Sequence, residues 1–216
     1  MSSDVQTPPA EDPSESSRQE VRREVVEFVK MVVWFLVLFL VLKTYVIEGY
    51  EVQGPSMEPT LHDRERILVF KLPHLMSEFS LFSWIHPFHP GDIVVFDSPD
   101  DYNKRYVKRV IALGPQPSPN TVAAGAQNAP DDSVSFEIDD GKIYVNHSLV
   151  KEPYLPPNVD FGRDNEHTVI HAGQMFVMGD NRGVSKDSRT FGPIEDNKII
   201  GRAVLRFWPL SRFGFL

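Results

Sequence analysis

The chain has 216 residues, enough for one domain of ordinary size with appended segments. Its formal net charge of −8 argues against a nucleic-acid partner, and the lack of cysteine excludes disulfides, thiolate nucleophiles and cysteine zinc sites. Eighteen prolines and thirteen glycines indicate a turn-rich, mainly β body.

Residues 1–24 are predicted to form a disordered tail. As far as Glu20 they are rich in Ser, Pro, Glu and Asp and nearly free of large apolar side chains. Such a segment cannot bury enough surface to offset the entropy lost on ordering.

An apolar segment follows, and residues 25–47 are predicted to form one transmembrane anchor helix. Met31–Leu42 carries no charge, and the longer segment reaches the roughly 20 residues that cross a bilayer. A cleavable signal peptide would have small residues after its apolar core, whereas Tyr45 and Val46 stand there. A helix on the surface of a soluble domain would show a polar face, which Met31–Leu42 lacks.

The charges that flank this segment predict its orientation. Basic residues remain on the cytoplasmic side of a membrane. Four precede or open the segment and one follows its core: Arg18, Arg22, Arg23 and Lys30, against Lys43. We therefore expect a single-pass protein of the cell (inner) membrane with a cytoplasmic N-terminus and residues 48–216 on the extracytoplasmic side.

Short β-prone runs bounded by turn residues follow the apolar segment, and they predict an antiparallel β-sheet domain over 48–216. The predicted strands are Arg66–Phe70, Asp92–Phe96, Tyr106–Leu113, Val134–Ile138, Lys142–Val145, His167–Ile170, Gln174–Met178 and Ile199–Phe207. Residues 114–133, mostly Pro, Ala, Asn and Asp, are predicted to be a loop insertion. The aromatic stretch Phe79–Phe88 fits either a buried core segment or a surface that dips into lipid.

Ser56 lies in the turn-forming stretch Gly54–Leu61, just beyond the apolar segment. A serine in a turn is usually a turn former. It can be a nucleophile only if a base removes its proton, and no histidine lies in a motif-like setting.

Lys108 is the better candidate base, because a lysine can lose its proton and an arginine effectively cannot. A free lysine has a pKa near 10.4, so work near neutral pH requires a downward shift of roughly three units, which desolvation can supply. Lys108 and Arg109 alternate along a predicted strand, and alternation alone leaves open which of them faces buried groups.

The run Gly179–Arg189 is dense in short polar and charged side chains. Its aspartates and arginines can pair internally. The pattern fits either a solvated loop or a tight hydrogen-bonded network.

Four segments in this order behind an apolar helix resemble the bacterial type I signal peptidases. They are Gly54–Leu61, Gly91–Phe96, Tyr106–Leu113, and Gly179-Asp180-Asn181-Arg182 with Ser185, Asp187, Ser188 and Arg189. The ending Gly201-Arg202-Ala203 and Phe207-Trp208-Pro209-Leu210 is also similar to that family. The resemblance covers about Val25 to Leu216.

The resemblance implies a Ser/Lys dyad protease that removes signal peptides from exported preproteins, after small residues at the minus-one and minus-three positions. By it, Ser56 is the nucleophile, Lys108 is the general base and Ser185 hydrogen-bonds and orients Lys108. Asp187 and Arg189 would hold a polar network behind the dyad. The expected partners are preprotein signal peptides and the lipid bilayer, and no metal or cofactor is implied.

One departure concerns the oxyanion hole. Some family members have a serine two positions before the nucleophile, and this chain has Gly54 there. The hole would then depend more on the backbone N–H of Ser56.

Two alternatives compete with a protease: an anchored module that keeps the fold without the reaction, and a self-cleaving Ser/Lys repressor, which should carry a DNA-binding segment.

Overall fold

The computed structural model describes residues 13–71, 88–101, 103–115, 133–157, 159, 161 and 166–216. The chain divides into two compact units, Met1–Thr44 and Tyr45–Leu216.

The first unit is helical. Helix α1 spans Pro13–Val41, and a π-helix over Leu42–Val46 follows it. The helix therefore starts within the predicted disordered tail, because Glu, Gln and Arg are good helix formers even without apolar neighbours. Within the described ranges, no helix is at once long enough and apolar enough to cross a membrane, so the anchor predicted over 25–47 is not confirmed.

The second unit is built from twelve described strands. They are β1 (Ile47–Glu51), β2 (Arg66–Phe70), β3 (Ile93–Asp97), β4 (Arg105–Leu113), β5 (Val134–Asp139), β6 (Lys142–Val145), β7 (Ser148–Leu149), β8 (Glu166–Ile170), β9 (Gln174–Met178), β10 (Ile194–Glu195), β11 (Ile199–Trp208) and β12 (Gly214–Phe215). Three short helical turns complete it: α2 (Ser188–Phe191) and the 3₁₀ turns Asp196–Lys198 and Leu210–Arg212.

All described strand pairs are antiparallel, which confirms the mainly β prediction. The larger sheet has the order β1-β2-β11-β3-β4-β9-β10, with β12 added to β11. The smaller sheet has the order β7-β6-β5-β8. The eight predicted strands are all present, each within one residue of its predicted ends. Strand β1 and the two-residue strands β7, β10 and β12 were not predicted, because they depend on pairing with other segments.

Strand β3 lies at the centre of the unit because both of its faces are covered. Ile93 and Val95 belong to one buried apolar cluster, and Val94 and Phe96 belong to another. A strand buried on both faces requires a continuous apolar run rather than alternation. The neighbouring strand β4 is thereby held between rigid partners, and β4 carries Lys108.

Two predicted features lie outside the described residues. The loop predicted over 114–133 is described only at Gly114, Pro115 and Ser133. Of the aromatic stretch Phe79–Phe88, only Phe88 is described, and it is buried in the core.

Candidate active site

Ser56 lies in the connection between β1 and β2, and this connection is firmly held. Val52 and the segment before β2 exchange backbone hydrogen bonds, from the Val52 N–H to the Glu65 carbonyl and from the Arg64 N–H to the Val52 carbonyl, both 2.8 Å. Met57 and Leu61 are completely buried. Ser56 therefore precedes an anchored side chain and has little freedom to move.

Gly54 lies two residues before Ser56 in the same connection. Its φ of +83° is a conformation that L side chains rarely adopt. Its N–H donates a 2.7 Å hydrogen bond to Asp63 Oδ1. The turn thus favours glycine, and its N–H is already engaged.

Lys108 reaches Ser56 from strand β4, which lies beyond β11 and β3 in the strand order. It pairs with Val94 of the central strand β3 and is only 4% exposed. Its Nζ donates a 2.7 Å hydrogen bond to Ser56 Oγ. The Tyr106 ring lies 5.6 Å from Nζ. Within the described residues, no carboxylate is within ion-pair distance of Nζ.

Burial lowers the pKa of Lys108 from 10.5 to about 8, and the positive charge of Arg189 adds to that lowering. The negative charges of Asp187 and Asp180 oppose the shift. Desolvation dominates because a buried ammonium loses its hydration without a carboxylate partner in return. A useful fraction of Lys108 is therefore neutral near physiological pH.

Arg109 is also buried, at 7% exposed, which answers the question that strand alternation left open. It donates hydrogen bonds of 2.9 and 2.6 Å to the two carboxylate oxygens of Asp180. It also donates to the Gly91 carbonyl at 2.8 Å and to Thr60 Oγ1 at 3.2 Å. This arginine ties the Ser56 connection to the run that begins at Gly179.

The Gly179–Arg189 run holds a hydrogen-bonded network of buried charged side chains, while its middle, at Gly183, Val184 and Lys186, is exposed. Arg189 donates two 2.8 Å hydrogen bonds to the carboxylate of Asp187, and Asp187 also accepts the Gly179 N–H at 2.9 Å. The remaining donors of Arg189 reach the carbonyls of Phe161 and Arg182 at 2.6 and 2.7 Å. Asp187 and Arg189, which were predicted as supporting residues, therefore fix the backbone of this run.

Ser185 does not make the hydrogen bond to Lys108 that the resemblance implied. Its Oγ is buried and has no hydrogen-bond partner among the described residues. The side chain lies instead against Gly179, where a Cβ would collide with Ser185 Oγ and with the Ser56 carbonyl. The close packing at Gly179 places this hydroxyl beside the Ser56 backbone.

Three further side chains contact the site, and no role was predicted for them from the sequence. Asn181 Nδ2 donates to the Pro55 carbonyl at 3.2 Å, and its backbone N–H donates to the Ser56 carbonyl at 3.0 Å. Glu152 accepts from the fully buried Arg182 at 3.1 Å. Tyr154 stacks on the Arg109 guanidinium, 3.8 Å from the ring centroid. Nothing local in the sequence pointed to Glu152 or Tyr154, since both contacts join distant segments.

Ser56 and Lys108 both line a cleft of about 830 Å³. Residues 50–56 and 103–108 line it as two continuous stretches, and Val184 and Lys186 also contribute. The apolar side chains of Val52, Ile67 and Val95 also line it. Among the described residues, no cluster of three or more His, Asp or Glu side chains is arranged to hold a metal ion.

Comparisons with known proteins found relatives among the bacterial signal peptidases. A signal peptidase I from Enterococcus faecalis V583 with a solved structure is 25% identical, with a TM-score of 0.40, covering 55% of this chain and 97% of that chain. Signal peptidase I from Bacillus licheniformis is 34% identical over 180 residues, which is 79% of this chain and 82% of the relative. Signal peptidase IB from Staphylococcus aureus (strain MRSA252) is 32% identical over 191 residues, covering 81% and 85%.

The family profile described as signal peptidase, peptidase S26, matches residues 25–117 and 129–208. This profile spans most of the chain and includes both Ser56 and Lys108. Together with the two bacterial relatives, it shows that the chain belongs to the S26 signal peptidases and is a serine endopeptidase.

Proposed function

We propose that this chain is a membrane-anchored signal peptidase that uses Ser56 as nucleophile and Lys108 as general base. It cleaves signal peptides from exported preproteins after small residues at the minus-one and minus-three positions. The observation that carries the proposal is the 2.7 Å hydrogen bond between Lys108 Nζ and the hydroxyl of Ser56. Lys108 is buried, and no carboxylate of the described residues forms an ion pair with it.

The first chemical step is the attack of Ser56 on the scissile carbonyl. Neutral Lys108 accepts the hydroxyl proton while Oγ forms a bond to the carbonyl carbon, which gives a tetrahedral intermediate. A lowered pKa for Lys108, about 8, supports this role because a base must be unprotonated at the working pH.

The oxyanion of that intermediate needs a hydrogen-bond donor. None of the described residues accepts a hydrogen bond from the Ser56 N–H, which leaves that donor for the substrate. The Gly54 N–H is engaged by Asp63 and has no such role. Asn181 contacts the carbonyls on both sides of the Ser56 N–H and therefore fixes the direction of the donor.

Collapse of the intermediate breaks the peptide bond. Protonated Lys108 gives its proton to the leaving amine, and the substrate remains as an acyl ester on Ser56. Water then attacks the ester with Lys108 again as base, and Ser56 regains its proton. No metal or cofactor takes part in this proposed sequence.

Three further residues have supporting roles in the proposal. Asp187 and Arg189 hold the Gly179 backbone, and Gly179 packs directly against the Ser56 carbonyl. Ser185 fills the remaining space at Gly179 beside the dyad. These contacts support a role in placing Ser56 opposite Lys108.

The proposed anchor is residues 25–47, with residues 1–24 in the cytoplasm and 48–216 outside. Large apolar side chains of α1 are exposed, among them Phe28, Trp34, Phe35 and Leu38 at 61%, 73%, 65% and 56%. Such side chains are costly in water and favourable in lipid.

The anchor is tested by membrane extraction and by external protease. The full chain should stay in membranes through alkaline extraction, and external protease should degrade 48–216 while 1–24 survives. Release into the alkaline supernatant would contradict the anchor.

The proposed dyad is tested with the full chain in detergent micelles and a preprotein substrate. Ser56→Ala and Lys108→Ala should each reduce cleavage by at least about 10³-fold, and Lys108→Arg should not restore it, because arginine stays charged. Lys142→Ala is the matched control, since this lysine is exposed and lies on β6 away from the cleft.

Thermal unfolding of each variant separates loss of chemistry from loss of fold. Full activity in Lys108→Ala would show that another group is the base. A folded wild-type chain that cleaves no signal peptide would instead favour an inactive module with the same fold.

A further inference from the structure

Arg105 forms a bridge across the cleft to the opposite wall. Its Nη1 donates a 2.6 Å hydrogen bond to the hydroxyl of Tyr50 and lies 3.4 Å from Glu48 Oε1. Its guanidinium carbon is 5.3 Å from the centre of the Tyr50 ring. We call these three residues, Glu48, Tyr50 and Arg105, the cleft bridge.

The cleft bridge joins two strands that are not neighbours in the sheet. Tyr50 lies on the edge strand β1 and Arg105 on β4, with β2, β11 and β3 between them in the strand order. The side chains meet only because the sheet curves and returns its edge toward β4. The cleft is the space enclosed by this curve, and the cleft bridge spans that space.

The distance from the dyad to the cleft bridge determines how many residues of an extended substrate fit between them. The two walls run in the same direction, because Tyr50 faces Arg105 at one end and Ser56 faces Lys108 at the other. Lys108 is three residue steps along β4 from Arg105, which is about 10 Å at roughly 3.3 Å per step. An extended peptide with its reacting carbonyl at Ser56 therefore places about three residues between the dyad and the cleft bridge.

The cleft bridge closes off the apolar floor of the cleft. Tyr50 shares a strand face with Val52, and Arg105 shares one with Val107. Tyr50 and Val107 both pack against the buried cluster that contains Val52, Ile67 and Val95. In an extended substrate, the first and third residues before the cut face the same side, so both would face this floor and the third would lie nearest the cleft bridge.

We propose that Arg105, held in place by Tyr50 and Glu48, is the residue that limits the size of the substrate side chain three positions before the cleaved bond. This inference rests on the proposed function. Arg105 acts as a wall across the cleft: a small side chain fits in front of the guanidinium, and a large one must displace it and break the hydrogen bond to Tyr50.

Two features keep that wall in place. Burial and a hydrogen bond with Glu48 raise the pKa of Tyr50, so its hydroxyl remains protonated over the working range. Asp97 lies 3.6 Å from Arg105 Nε and Lys71 lies 3.2 Å from Glu48, so the charges of the bridge are matched on both walls.

The experiment compares signal-peptide substrates with Ala, Leu or Phe at the minus-three position and Ala at minus-one. For the wild type, kcat/KM should fall steeply from Ala to Phe. Arg105→Ala should raise the Phe-to-Ala ratio of kcat/KM by about 10-fold or more, because the guanidinium no longer limits the space for the minus-three side chain. Tyr50→Phe keeps the ring and loses only the hydroxyl, so it should raise the ratio by about 5-fold.

Two matched controls test whether the change in selectivity is specific to the minus-three position and to Arg105. The same substitutions at minus-two, where the side chain faces away from the floor, should leave the ratios of Arg105→Ala at wild-type values. Arg66→Ala removes an exposed arginine that pairs with Glu51 on the same edge without crossing the cleft, and it should also retain the wild-type ratios.

Each outcome distinguishes the inference from the function on which it rests. Wild-type ratios at minus-three in both Arg105→Ala and Tyr50→Phe, with Ser56-dependent cleavage intact, would overturn the inference and leave the proposed function standing. If Arg105→Ala does not fold, Tyr50→Phe alone decides. Absence of Ser56-dependent cleavage in the wild type would overturn both.

Discussion

Arg109 and Asp180 are joined by two hydrogen bonds of 2.9 and 2.6 Å, while Lys108, one residue earlier, has Ser56 as its hydrogen-bond partner. Two adjacent cations are thus buried in different ways. Arg109 is neutralised by a carboxylate and acts as a structural tie. Lys108 lacks that partner within the described residues, so its charged form is disfavoured and its proton is easily lost.

We expect Asp180→Ala to reduce the free energy of unfolding by about 3–5 kcal/mol, because Arg109 would remain buried without its counter-charge. Chemical denaturation at pH 7 measures this. Glu51→Ala is the matched control: its pair with Arg66 is exposed, and its loss should change stability by less than about 0.5 kcal/mol. Equal effects of the two substitutions would contradict a structural role for the buried pair.

The pH dependence of cleavage should follow Lys108. In the proposed mechanism Lys108 acts in its neutral form, and its pKa is about 8, so kcat/KM should rise about tenfold between pH 7 and pH 9 and then level off. Steady-state kinetics with one signal-peptide substrate measures this profile. A flat profile from pH 6 to 9, or a rise only near the ordinary lysine pKa of 10.5, would argue against Lys108 as the base.

Stability should depend on pH through the same residue, with a sign that can be worked out. The pKa of Lys108 falls from 10.5 to about 8 on folding. Between these values the unfolded chain binds more protons than the folded chain, so the free energy of unfolding rises with pH there. Below about pH 8 both states are protonated and the full cost of the buried charge is present.

Lys108→Met removes that cost. We expect this variant to be more stable than the wild type by about 1–3 kcal/mol at pH 7, with a smaller difference at pH 9.5, where the wild type has lost most of its buried charge. Urea denaturation of both proteins at the two pH values gives the comparison. A destabilised variant at pH 7 would mean that the Ser56 hydrogen bond outweighs the desolvation of Lys108.

Local sequence patterns predicted the strands of the catalytic unit well, because each has a β-prone run between turn residues. Arg66–Phe70 and Gln174–Met178 have the predicted bounds. Strand β1 was missed because it depends on pairing with β2, and short strands such as Ile194–Glu195 exist only through pairing with a distant neighbour. Pairing between distant segments leaves little trace in local sequence.

Sequence segments named Ser56 and Lys108 as candidate catalytic residues, and in the structure these two side chains are within hydrogen-bond distance of each other. Their catalytic roles stay predictions. The expected hydrogen bond from Ser185 to Lys108 is absent, since Ser185 Oγ lies against Gly179. Burial of both Lys108 and Arg109 could not follow from alternation, because the opposite faces of β4 are covered by different parts of the fold.

Gly179 should not tolerate a side chain, and its substitution tests how Ser56 is positioned. A Cβ at Gly179 would collide with Ser185 Oγ and with the Ser56 carbonyl. We expect Gly179→Ala to lower kcat/KM by about 100-fold, since small displacements of a reacting group are costly. Adding Ser185→Ala should not restore activity, because the clash with the Ser56 backbone remains. Gly214→Ala is the matched control: its Cβ would meet no atom within 4 Å, so activity and stability should be retained. Wild-type activity in Gly179→Ala, measured with the same substrate, would show that Ser56 can shift without penalty.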